Sequence, residues 1–240
     1  VISSKIMALS DYDELKEELA VLDSAEEKID AWHPSQHPHR RWEYAMALHC
    51  LPKGTGLRVT DYGCGNGMLG PVLHSLGHTV LLYDNWAMGD QKEYLRDKMQ
   101  KASQLLQEGH LNYYEVRDRA LGSLTDEDRN MDAVFCVSVL EHILSYETAF
   151  VDMLRSVRLG GVAFITTDFA DSETDHFANA GLRAGKMFTT KTYADLVDIA
   201  KREGFELLDG AANYAWDEEE NRLVADYGFA SLALKRKIAQ

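Results

Sequence analysis

The chain has 240 residues, 45% of them hydrophobic, and a formal net charge of −14. That is enough apolar material for one full core, so one domain with additions is expected rather than two. So acidic a chain repels a phosphate backbone, and its dense basic runs, His39-Arg40-Arg41 and Lys235-Arg236-Lys237, are short, which argues against a nucleic-acid substrate.

No apolar run reaches the length needed to span a membrane, and no secretory signal pattern opens the chain. Cys50, Cys64 and Cys136 show no paired spacing. Buried, reduced thiols in a cytoplasmic protein fit that usage better than disulfides or a zinc site.

Residues 11–31 read as an amphipathic helix, with Leu15, Leu19 and Leu22 on one face. A proline-broken stretch follows, Trp32-His33-Pro34-Ser35-Gln36-His37-Pro38-His39, and then a second helix over 40–51. The aromatics and histidines of 32–44 exceed what a plain linker needs, so His37, His39 and Trp42 are candidates for one wall of a substrate pocket. The turn cluster Pro52-Lys53-Gly54-Thr55-Gly56 divides an N-terminal helical cap, 1–52, from a main domain, 53–240.

Strands and helices then alternate. Strands are predicted at 57–62, 79–84, 111–116, 131–138 and 160–167, with helices near 87–106, 146–158 and 192–203. Thr192 and Asp195 are placed to cap the last helix and Gly204 to end it. Alternating elements with apolar, β-branched strands predict a mostly parallel sheet covered on both faces. The end differs: 205–208 and 224–234 read as two strands with no helix between them, which implies an antiparallel pair at the sheet edge.

The most informative run is Val59-Thr60-Asp61-Tyr62-Gly63-Cys64-Gly65-Asn66-Gly67. A buried strand ends in an acid and breaks into alternating glycines. A helical pattern follows, with Met68, Leu69, Val72, Leu73 and Leu76 on one face. Such a turn lets backbone N–H groups approach a ligand closely. The second strand, Val80-Leu81-Leu82-Tyr83-Asp84, also ends in an acid, and in an α/β sheet Asp84 points at the same crevice.

Asp61-x-Gly63-x-Gly65-x-Gly67 resembles motif I of the class I S-adenosylmethionine (SAM) dependent methyltransferases. Met131 to His142, an acid and an apolar strand running into Ser138-Val139-Leu140-Glu141-His142, resembles motif IV of their small-molecule branch, and 158–165 resembles the fifth-strand entry, with Leu159 where the family usually has proline. The resemblance covers roughly 55–235. It implies a three-layer, Rossmann-like α/β sandwich with a seven-stranded sheet whose last strand is antiparallel. It implies SAM as cofactor and S-adenosylhomocysteine as product, with Asp61, Gly63, Cys64, Gly65 and Gly67 around the methionine part. It further implies Asp84 on the ribose, Asn85 and Trp86 beside it, Asp118 near the adenine amino group, and Ser138 and Val139 along the cofactor.

The acceptor is expected to be a small molecule or glycan-type metabolite, methylated at O, N or C. The motif of enzymes that methylate amino groups of DNA or protein glutamine is absent. His142 is the first candidate for a base, since an imidazole titrates near neutrality. Asp168 and His176, after the fifth strand, are candidates for the acceptor pocket. An acidic loop there could hold a divalent cation, but no metal ligand is assigned.

Two alternatives remain at this point. Gly65, Gly67 and Gly70 also spell the dinucleotide fingerprint, with Asp84 19 residues after Gly65, which would suit an NAD(P)-dependent oxidoreductase. The other is a SAM-binding protein without catalysis.

Overall fold

The computed structural model describes residues 3–8, 10–28, 38–65, 69–84, 114–118, 124–170, 187–215 and 228–238. Seven strands form one sheet in the order β3-β2-β1-β4-β5-β7-β6. They are β1 (Arg58–Tyr62), β2 (Thr79–Asp84), β3 (Tyr114–Asp118), β4 (Met131–Val137), β5 (Val157–Phe169), β6 (Phe205–Leu207) and β7 (Gly228–Arg236). β1 to β5 pair in parallel, whereas β7 runs antiparallel to both β5 and β6. The expected edge pair is thus present, with β7 inserted between β5 and β6. This order separates the fold from the all-parallel six-stranded dinucleotide arrangement.

Each central strand is apolar on both faces, because helices cover both. Val80 and Leu82, Phe135 and Val137, and Val162 and Phe164 pack in one core with Leu22, Trp42, Met46, Val72 and Leu73. The alternate residues Leu81 and Tyr83, Val134 and Cys136, and Ala163 and Ile165 pack in a second core with Phe150, Leu154, Tyr193 and Leu196. This period-2 division is what a sheet buried on both sides requires.

The first core is closed by α1 (Asp11–Glu14), α2 (Lys16–Lys28), α3 (Pro38–Cys50) and α4 (Leu69–Ser75). The helix expected over 11–31 is broken at Leu15, which turns out of α1 before α2 begins and is itself fully buried. The helix after the glycines ends at Ser75, so Leu76 lies beyond it and is 37% exposed. The second core is closed by α5 (Tyr146–Ser156) and α6 (Thr190–Arg202).

The cap of α6 differs from expectation: Thr189 precedes the helix and its hydroxyl accepts the Thr192 N–H at 3.3 Å. Thr192 is therefore inside the first turn. Gly204 ends the helix with φ +86°, a left-handed backbone that glycine tolerates without strain. The helix expected over 87–106 lies outside the described residues. Residues 5–7 bond along β7 where short β6 leaves its edge open, through Lys5 N–H to Ser231 O and Met7 N–H to Phe229 O. Among the described residues no helix is long and apolar enough to cross a membrane.

Candidate functional site

The C-terminal ends of the parallel strands gather the acids. Asp61 follows Val59 by two on β1, so it faces the side that α3 covers. Thr166 and Asp168 follow Phe164 by two and four on β5 and face that side too. Asp61 is 3% exposed, and its Oδ1 has no hydrogen-bond partner among the described residues. Burial first, and the nearby Asp84 second, push its carboxyl up to about 8, against the pull of Arg40.

The turn after β1 is tied to the end of β2. The N–H groups of Gly63 and Cys64 both donate to Tyr83 O, at 2.7 and 3.2 Å, and Gly65 N–H donates to Asp84 Oδ2 at 2.8 Å. Gly63 (φ +72°) lies hard against Val139: a Cβ there would fall 2.4 Å from Val139 Cγ2. The two stretches read separately as motifs I and IV therefore meet at one wall. Cys64 is buried, and burial followed by Asp61 and Asp84 raises its thiol well above the ordinary range. A thiol so raised is a poor nucleophile.

Asp118 was expected just past the third strand. It is instead the last residue of β3, in register with Asp84. Gly67, Asn85, Trp86, His37 and His176 lie outside the described residues.

Beyond β4 the chain turns at Ser138, whose φ of +51° is uncommon for a residue with a side chain. A short 3-10 turn, Leu140–His142, places His142 partly buried at the same edge. Burial first, then Arg40, lower the His142 pKa, so the ring is neutral at pH 7. The preceding Glu141 is 2% exposed, with Oε1 accepting the Asp168 N–H at 3.3 Å. Burial, then Asp168, raise the Glu141 carboxyl well above its usual range. Asp168 is raised to about 7 by burial and then Glu43, against Arg40.

His39 stacks on Phe229, with ring centroids 4.1 Å apart and planes 8° from parallel. Phe229 pairs across the sheet with Asp168, so His39 and Asp168 share one corner of the crevice. Trp42 does not join them. Expected on a pocket wall, it is completely buried in the first core, and its indole N–H donates to Asp11 Oδ2 at 2.9 Å. On a helix one residue in either direction changes the face by about 100°, and here Arg40 and Glu43, not Trp42, face the strand ends.

Arg40 and Glu43 were not singled out in the sequence. Arg40 NH1 lies 3.0 Å from Glu43 Oε2. Burial opposes the charge on Arg40, but Glu43 and then Tyr44, Glu141 and Asp168 outweigh it, and the guanidinium is held more firmly protonated than usual. Glu43, Glu141, Asp168 and Asp61 thus stand around a partly buried cation at the strand ends.

The model of the methyltransferase domain matches residues 15–209. The chain belongs to that family. The match runs from the N-terminal helices to β6, and the chain is therefore a class I, SAM-dependent methyltransferase domain. The dinucleotide reading of Gly65, Gly67 and Gly70 is set aside by this match and by the inserted β7.

Among curated relatives, a ubiquinone biosynthesis O-methyltransferase of Paracidovorax citrulli is 32% identical over 116 residues, 47% of this chain and 44% of the relative. That of Rickettsia typhi is 26% identical over 113 residues, 46% of this chain and 41% of the relative. The matches span less than half the length of these relatives. Solved structures share the fold: the cyclase SpnF has a TM-score of 0.60 at 17% identity, covering 98% of this chain and 100% of that one. Magnesium protoporphyrin IX methyltransferase from Synechocystis PCC 6803, solved with bound SAM, has a TM-score of 0.55 at 17% identity, covering 92% and 97%.

Proposed function

We propose that this methyltransferase transfers the methyl group of SAM to an oxygen of a small-molecule acceptor. The observation that carries the reading is the buried Asp61, whose Oδ1 has no partner among the described residues, behind a glycine turn fastened to Asp84. A buried carboxylate oxygen with no partner is costly unless a cation or donor meets it. SAM carries a sulfonium and an ammonium, so its charge complements the carboxylates at the strand ends, and Arg40 suits its own carboxylate. When bound, SAM supplies a methyl group that leaves behind a neutral thioether.

In this reading Asp61 meets the ammonium, Asp84 accepts the ribose hydroxyls, and Asp118, in register with Asp84 on the next strand, takes the adenine amino group. Gly63, Cys64, Gly65 and Gly67 allow the backbone close approach, and Ser138 and Val139 form the facing wall. Asn85 and Trp86 complete the adenosine side. His39, Asp168 and His142 line the acceptor side, with His37 and His176 as further candidates. Neutral His142 Nδ1 or Nε2 takes the proton released by an acceptor hydroxyl. Residues 1–52 form the cap that closes the crevice through α3, and the buried free thiols support a reducing, cytoplasmic setting.

The fold by itself does not carry a reaction, since SpnF, which shares it, is described as a cyclase. Oxygen as the methylated atom comes from the names of the curated relatives, which match over part of their length. The test is calorimetric titration of the purified chain with S-adenosylhomocysteine, with NAD and NADP in parallel. Radiolabelled methyl transfer from SAM to a panel of phenols, sugars and amines follows. Binding of S-adenosylhomocysteine with label appearing in a hydroxylated acceptor supports the reading. Binding of a nicotinamide cofactor alone, or label transferred only to amines, sinks it.

A further inference from the structure

We infer that Glu43 is a positioning residue: it pins α3 to the ends of β4 and β5 and holds the Arg40 guanidinium where the amino-acid end of the cofactor is met. This rests on the proposed SAM site, and it assigns a role to a residue that neither the glycine turn nor the motif after β4 contains.

Glu43 is completely buried, yet three polar groups converge on it. Its Oε1 accepts the hydroxyls of Ser138 and Thr166, each at 2.5 Å, and its Oε2 faces Arg40 NH1 at 3.0 Å. The two hydroxyls lie 95 and 123 positions away in sequence, one just past β4 and the other near the end of β5. One carboxylate therefore joins the cap helix to both strand ends that flank the crevice. Buried charge is tolerated when it is paired and hydrogen-bonded in this way.

The partners argue for more than fold maintenance. Ser138 holds its left-handed backbone between two anchors: its N–H donates to Thr166 O at 3.0 Å and its hydroxyl to Glu43. A residue kept in a sparsely populated conformation at a binding edge needs its surroundings to fix it. Arg40 lies one helical turn before Glu43 and also feels Glu141 and Asp168. Without the Glu43 charge, its flexible stem is drawn toward those two acids on the acceptor side and away from Asp61. The tether to Glu43 thus decides on which side of the crevice the cation stands.

The experiment compares two ligands on the wild-type chain, Glu43→Gln and Glu43→Asp. S-adenosylhomocysteine carries the amino-acid carboxylate, whereas 5′-deoxy-5′-methylthioadenosine has the same nucleoside and sulfur without it. Glutamine keeps the size and can still accept the two hydroxyls, but it turns an uncharged amide toward Arg40. Expected is a loss of about tenfold in S-adenosylhomocysteine affinity, with the tail-less ligand changed by less than about twofold. Glu43→Asp, which keeps the charge on a shorter stem, should recover part of the loss. Equal weakening of both ligands would mean that Glu43 merely supports the fold, and unchanged S-adenosylhomocysteine affinity would mean that it does not place Arg40. Either result overturns the inference. A wild-type chain that binds neither ligand would instead sink the SAM reading itself, before any variant is compared.

Discussion

Asp84 Oδ2 and the backbone N–H of Gly65 are hydrogen-bonded at 2.8 Å, so the acid at the end of β2 fixes the turn that follows β1. One carboxylate oxygen thus organises the backbone of the turn. The adjacent Tyr83 carbonyl takes two further N–H groups of the same turn. The end of β2 is therefore the template on which the glycine turn is shaped.

Asp84→Ala should weaken S-adenosylhomocysteine binding by about 1–3 kcal/mol, the cost of losing a partly buried acceptor. Titration calorimetry reads it directly. Unchanged affinity in a folded variant would remove the ribose from Asp84.

The glycines of the turn are not equivalent. Gly63 has φ +72° and no room for a methyl group, since Val139 Cγ2 and Cγ1 stand 2.4 and 2.6 Å from the Cβ position. Gly65 has φ +51°, and among the described residues nothing lies within 4 Å of its Cβ position. Gly63→Ala should cost about 2–4 kcal/mol of stability, overpacking added to backbone strain. Gly65→Ala should cost only about 1 kcal/mol, from strain alone, while losing ligand affinity because its methyl stands where the turn is to meet the cofactor. Thermal unfolding beside titration separates the two. Equal destabilisation would mean that Val139 yields and the packing at Gly63 is unimportant.

What the sequence could reveal depended on range. The β1 turn, Asp84 and the strand β4 are written locally, as an acid or an apolar run with a fixed neighbour, and their places follow from the α/β layout. Glu43 has no local signature: beside Arg40 on α3 it reads as an ordinary charged pair in a helix, and the two hydroxyls that reveal its role lie 95 and 123 positions away. Trp42, one residue before it, invited a pocket role by composition, but which helix face meets the strand ends is settled by packing. Thr189 rather than Thr192 caps α6 because boundaries shift by a few residues when two adjacent threonines, Thr189 and Thr190, offer the same chemistry.

The pH dependence of the ligand-free chain follows from Asp61. Its folded value of about 8 lies above its ordinary 3.8, so between these values the folded state holds a proton that the unfolded state releases. Stability then falls as pH rises across that window and levels off above it. Asp168, raised to about 7, adds to the same slope. A ligand that presents an ammonium to Asp61 favours the ionised form, so affinity for S-adenosylhomocysteine should rise from about pH 6 to about pH 8. Asp61→Asn should flatten both curves in part. A variant as steep as the wild type would show that Asp61 is not the titrating group.

His142 is the last case, and its chemistry decides the acceptor reading. Burial and Arg40 lower its pKa, so it is neutral and able to take a proton at pH 7, and becomes charged only in acid. If it serves an acceptor hydroxyl, kcat should fall on the acid side with an apparent value below 6.5, the ordinary figure. His142→Ala should then lower kcat by about 10²-fold or more and remove that acid limb, while S-adenosylhomocysteine affinity changes little. The Glu141 and Asp168 carboxyls are also raised, so the limb must vanish with the imidazole before it is assigned to His142. Turnover equal to the wild type, measured at saturating acceptor, would leave His142 as part of the scaffold and move the search for a base to His39, stacked on Phe229 across the same crevice.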